Sequence, residues 1–167
     1  MKPKPLITFV LGTRPEAIKL APLILVFRKS KKIDVRLILT GQHREMVESV
    51  LKFFEIDSDL DLNIMQPSQT LTYITCATLE GLKLEFIQNK PALLIIQGDT
   101  STAFSATLAA FYQKIPVGHI EAGLRTDNLH DPFPEEVNRR LISQIASLHF
   151  APTENSKMNL ISFGFMG

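Results

Sequence analysis

Apolar, β-rich runs alternate with helix-patterned stretches along almost the whole chain, and that alternation most narrows the folds open to it. The apolar runs cover residues 6–11, 35–40, 93–97, 117–120 and a short 149–151. Between them lie helical patterns over 15–29, 44–54, 71–88, 100–114, 134–146 and 153–163. Strands separated by helices pair in parallel, since a parallel pair needs a crossover and the crossovers cover both faces of the sheet. The expectation is an α/β fold, a doubly wound, Rossmann-like parallel sheet. Local chemistry agrees: Pro15 suits the first turn of a helix, and Gly164 follows the last periodic residue as a C-terminal cap does. Leu60 and Leu62 alternate with aspartates inside an irregular stretch over 57–68 and predict a short edge strand. No repeat, low-complexity segment or linker interrupts the pattern.

A chain of 167 residues is the size of one domain, able to bury roughly 70% of the surface its unfolded form exposes. Eighteen Lys plus Arg against 17 Asp plus Glu give a formal charge of +1, so no overall field draws nucleic acid or anionic lipid. The one cysteine, Cys76, leaves no disulfide or Cys-x-x-Cys pair within the chain and reads as a packing residue. Lys2 and Lys4 precede the apolar run 6–11 as in a secretory leader, but the run is short and Arg14-Pro15-Glu16 follows it, which favours a first strand. No stretch approaches the roughly 18 apolar residues of a membrane span. The expectation is a soluble cytoplasmic protein with neither nucleic-acid nor membrane partners.

Three motifs fall where strands end. Gly12-Thr-Arg-Pro-Glu16 stands at a strand-to-helix turn, where free N–H groups and the helix dipole favour an anion. Arg14 would add a fork of donors for phosphate, and Lys19 lies one turn further on; equally, Gly12 merely permits a turn and Arg14 meets a surface carboxylate. Neither Gly-x-Gly-x-x-Gly nor Gly-x4-Gly-Lys-Ser/Thr occurs, so NAD and ATP-hydrolase readings lack their usual support. Gln97-Gly-Asp-Thr100 follows the most apolar strand and puts Asp99 at its carboxyl end, either as a helix cap or facing a crevice.

The densest window runs from Pro116 to Arg140 and holds His119, Glu121, Arg125, Asp131, Glu135, Glu136 and Arg139. Glu121 follows a buried-looking strand and should share a face with His119, two residues earlier. Desolvation there favours proton transfer, and a structural ion pair with Arg125 is the competing reading. Glu135 and Glu136 each precede an arginine by four residues, Arg139 and Arg140, the spacing of a stabilising helix pair. His43, His130 and His149 have no second ligand at metal spacing, so no metal site is expected.

Together these motifs resemble the non-hydrolysing UDP-N-acetylglucosamine 2-epimerase family, from about Leu6 to the chain's end. The resemblance implies a two-domain architecture shared with GT-B glycosyltransferases, closing over a UDP-sugar without a cofactor. It implies elimination of UDP to 2-acetamidoglucal, then re-addition with the proton returned to the other face of C2. By position, Asp99, Glu121 and Glu136 resemble the family's acid–base carboxylates, Glu135 remaining a helix-pair residue. Arg14 and Lys19 resemble its substrate-binding basic pair, with His119 and Arg125 beside them. Gln42 and His43 match an allosteric turn, but Glu45 and Ser68 replace a glutamine and an arginine of that site. Family members are roughly twice as long, so the chain reads as an N-terminal domain, expected to be inactive alone, whose C-terminal nucleotide-binding half is absent or supplied by another chain. Homo-oligomers are expected, with helix 71–88 as a contact. The alternatives are a stand-alone nucleotide-sugar-binding or interaction module and half of a glycosyltransferase; the run from His119 to Arg125 disfavours the last.

Overall fold

The computed structural model describes residues 3–41 and 44–165. In chain order the elements are β1 (Leu6–Leu11), α1 (Arg14–Arg28), β2 (Asp34–Leu39), α2 (Arg44–Phe53), β3 (Leu60–Asp61), α3 (Leu71–Gln88), β4 (Leu93–Gln97), α4 (Ser101–Tyr112), β5 (Val117–Ile120), α5 (Glu135–Ile145), β6 (Leu148–Phe150) and α6 (Glu154–Ser162). All six strands pair in parallel in the order β3-β2-β1-β4-β5-β6. The doubly wound expectation therefore holds, including the edge strand at Leu60. The strand near the end of the chain begins at Leu148, one residue before its expected start.

Strand alternation divides the core. Phe9, Leu11, Leu37, Leu39 and Ile95 point to one face, where α1 and α2 cover them with Leu20, Ile24, Val47 and Leu51. Val10, Ile38, Leu94 and Ile96 point to the other, under Leu82 and Phe86 of α3, four alanines of α4 and Ile142 of α5. Small residues let α4 lie close to the sheet between α3 and α5. Its buried hydroxyls fold back on its own carbonyls, Ser105 onto Ser101 at 2.6 Å and Thr107 onto Ala103 at 2.8 Å.

The strand order reverses direction between β1 and β4, and a crevice opens at the carboxyl ends of strands where this happens. Gly12 permits the close approach at that point: a Cβ there would lie 2.4 Å from Thr102 Oγ1 on the first turn of α4. Thr100 caps α4 by accepting from Ala103 N at 3.0 Å. Leu84, Ile87, Phe111 and Tyr112 are left exposed along α3 and α4. Among the described residues no helix is long and apolar enough to cross a membrane.

Candidate active site at the carboxyl edge

In the turn after β1, the Gly12 and Thr13 N–H groups are already taken. Glu16 is buried, and its Oε2 accepts from Gly12 N and Thr13 N, each at 2.7 Å, while Oε1 accepts from Thr100 Oγ1 at 2.5 Å. A carboxylate of the same helix thus takes the place expected for a phosphate. Burial pushes the Glu16 carboxyl above its ordinary range, against the pull of those donors. Thr13-x-x-Glu16 is a capping-box spacing, so the sequence did carry the signal. Arg14 is exposed over a groove lined by Ile18, Val50, Phe53 and Phe54.

At the end of β4, Gly98 adopts φ 72° and Asp99 turns to Arg139, with Oδ2 at 2.5 Å from Nη2. Asn138 Nδ2 donates to the Asp99 carbonyl at 2.9 Å. Desolvation raises the Asp99 pKa; Arg139 opposes this, while the charges of Glu135 and Glu121 push it further up. Asp99, Glu121 and Glu135 thus share one electrostatic neighbourhood.

His119 is enclosed within the chain. It is 1% exposed, with Nε2 2.7 Å from the Gly98 carbonyl, so Nε2 carries the proton and donates. Burial lowers its pKa to about 4 and keeps the ring neutral. Stability linked to this ring is complete above the ordinary value of 6.5. It is lost as pH falls toward 4, because the unfolded chain then binds a proton that the folded one refuses. The loss amounts to about 3 kcal/mol over that window. His119→Gln, which keeps an N–H donor but does not titrate, should lose correspondingly less stability than the parent between pH 7 and 4.5 in urea titrations. Parallel curves for the two proteins would rule the assignment out.

Glu121 follows β5 in a left-handed conformation, φ 67°, which breaks the alternation that would have put it beside His119. Its carboxylate meets Lys19 Nζ, 2.8 Å from Oε1 and 2.6 Å from Oε2, and accepts from Gln97 Nε2. The expected alternative partner, Arg125, is engaged elsewhere. It donates to Ser143 Oγ at 2.9 Å and to the Leu124 carbonyl at 2.7 Å, and stacks 5.3 Å from the Phe163 ring centre. Half-burial lowers its pKa.

Glu136 has no exposed side-chain surface. Oε1 accepts from Arg140 Nε at 2.6 Å; Oε2 accepts from Thr126 N at 3.1 Å and lies 3.3 Å from Arg139 Nη1. Arg139 therefore bridges Glu136 to Asp99 and does not form the expected pair with Glu135. Glu135, half-buried at the first residue of α5, is the member of the pair whose charge reaches Asp99. Gln42 and His43 lie outside the described residues. Among the described residues no three or more His, Cys, Asp or Glu side chains are grouped to hold a metal. A concavity of about 880 Å³ lies elsewhere, against β6 and α6, with Phe150, Leu160, Ile161 and Phe165 in its wall.

A parallel sheet with carboxylates and cations gathered at its switch-point edge is the Rossmann-like half of a GT-B-type architecture. A lipopolysaccharide outer core galactosyltransferase shares that fold at a TM-score of 0.65 and 14% identity. The UDP-N-acetylglucosamine 2-epimerase family profile matches residues 26–166, and the chain belongs to that family. It is 57% identical over 153 residues to the UDP-N-acetylglucosamine 2-epimerase of Neisseria meningitidis serogroup A, covering 92% of this chain and 41% of the relative. The Escherichia coli K12 enzyme of the same name is 55% identical over 152 residues, covering 91% and 40%. The crystal structure of UDP-GlcNAc 2-epimerase from N. meningitidis bound to UDP-GlcNAc superimposes with a TM-score of 0.92 at 55% identity, over 95% of this chain and 43% of that one. A Methanocaldococcus jannaschii UDP-GlcNAc 2-epimerase in complex with UDP-GlcNAc and UDP gives 0.90 at 36% identity, over 96% and 44%. The chain thus spans about 40% of the length of these curated relatives.

Proposed function

We propose that this chain is the acid–base half of a UDP-N-acetylglucosamine 2-epimerase, the half that moves the C2 proton while a second domain holds the nucleotide. The observation that carries the reading is the placing of Asp99 and Glu121 at the carboxyl ends of the adjacent strands β4 and β5, with Lys19 and Arg139 paired to them and Glu135 at the start of α5. Removing the C2 proton as UDP leaves C1 breaks C2–H and C1–O and forms a C1=C2 bond. Returning UDP to C1 and a proton to the other face of C2 gives the epimer. Such chemistry needs a base, an acid and cations near the leaving diphosphate. Asp99, Glu121 and Glu135 are the acid–base candidates. Lys19, with Arg14 at the rim, faces the diphosphate. Arg125, Glu136 and His119 act as positioning residues.

A chimera of this chain with the remaining length of the N. meningitidis relative should interconvert UDP-N-acetylglucosamine and UDP-N-acetylmannosamine and take up solvent deuterium at C2. The chain alone should do neither, because one wall of a cleft leaves the diphosphate in water. A folded chimera without C2 exchange would falsify the reading. The exposed Leu84, Ile87, Phe111 and Tyr112 support self-association through α3 and α4, and a monodisperse monomer in light scattering at micromolar concentration counts against it.

A further inference from the structure

Gln97, the last residue of β4, is 3% exposed and commits its side chain to Glu121, with Nε2–H donating to Oε2. Gln97 and Ile120 are register partners, so Glu121 lies one residue beyond the paired strands, where its left-handed backbone turns the carboxylate back toward β4. Lys19 Nζ lies 2.6 Å from the same Oε2 and 2.8 Å from Oε1. Each carboxylate oxygen has room for about two donors, so Oε2 is filled while Oε1 keeps a lone pair open. The amide orientation follows from this pairing. With Lys19 donating to Oε2, an amide oxygen turned toward it would set two acceptors face to face.

We propose that Gln97 is a positioning residue that holds Glu121 unprotonated at Oε2, within its left-handed turn, so that Oε1 is the atom that exchanges a proton with the substrate. An amide N–H can donate but cannot take up a proton, so a proton reaching this carboxylate resides on Oε1. When Oε1 takes the C2 proton, the C–H electron pair becomes the C1=C2 bond and the C1–O pair leaves with UDP. No bond to Gln97 is made or broken. The inference rests on the epimerase reading for the substrate, but the Gln97–Glu121 geometry stands apart from it.

Two measurements test it. In the complete enzyme carrying this half, Gln97→Leu, similar in size but without a donor, should lower kcat roughly 10- to 100-fold with KM within about 3-fold. Gln97→His restores an N–H donor and should recover most of the loss. Equal losses in the two variants, or an unchanged kcat in Gln97→Leu, overturn the proposal while leaving the epimerase reading intact. The second measurement needs no turnover. In nitrogen-15 spectra of this chain, one Gln97 side-chain N–H should be shifted downfield and protected from exchange, and Glu121→Ala should abolish both effects. A Gln97 signal unmoved by Glu121→Ala overturns the proposal even if the substrate reading also fails.

Discussion

Glu136→Ala should cost this chain about 3–5 kcal/mol of stability, the scale of breaking a buried ion pair from one side. The side chain is fully enclosed and accepts from Thr126 N and Arg140 while lying against Arg139. Removing it leaves the Arg139 guanidinium, itself 10% exposed, paired among the described residues with the Asp99 carboxylate alone. It also frees Thr126 N and releases the loop that Arg140 holds through the Thr126 carbonyl at 2.9 Å. Domains of this size are stable by about 5–15 kcal/mol, so a loss of that size moves the urea midpoint far to the left. Glu135→Ala, one residue away and half-buried, should change stability by less than about 1 kcal/mol. Equal midpoints for Glu136→Ala and the parent would show that the cluster contributes nothing net.

The framework was legible in the sequence because periodicity reports which face of each element is buried. The placing of Asp99 and Glu121 at the sheet's carboxyl edge was also legible, since they follow strands too apolar to lie anywhere but inside a parallel sheet. Two features were not. At Gly12–Glu16 one spacing fits both an anion cradle and a capping box, and the Glu16 carboxylate, already tethered in the first turn of the helix, takes the Gly12 and Thr13 N–H groups. At α5 the apolar pattern points the wrong way. Leu141 is 42% exposed, whereas the buried stripe is Glu136, Arg139, Ile142 and Ser143. Consecutive helix residues lie about 100° apart, so Glu135 and Glu136 occupy different environments, and only the packing phase of the helix says which is which. A polar stripe buried by mutual pairing gives no hydrophobic signal. For the same reason Gln97 was read as part of a strand end, when its side chain is the neighbour of Glu121.

That phase sets the sharpest catalytic expectation. In a complete enzyme carrying this half, Asp99→Asn, Glu121→Gln and Glu135→Gln should each lower kcat by about 10²-fold or more, with smaller effects on KM, as for loss of a positioned acid or base. The resemblance alone places this role on Glu136 and makes Glu135 the mild control; on the burial of Glu136 we propose the reverse. A general base must come within hydrogen-bond reach of the proton it takes. Glu136 has no exposed atom, and both its oxygens are held by donors, so reaching a sugar carbon would mean breaking its pairs with Arg139 and Arg140. Glu135 opens α5, where the helix dipole favours its charge, and it already acts on the raised pKa of Asp99. The comparison should be read as kcat per folded enzyme, together with deuterium uptake at C2, so that the instability of a Glu136 variant is not mistaken for lost chemistry. With that correction Glu136→Gln should retain far more turnover than Glu135→Gln. Near-parental activity in Glu135→Gln, or a Glu136→Gln enzyme that is folded and yet silent in C2 exchange, would return the acid–base role to Glu136.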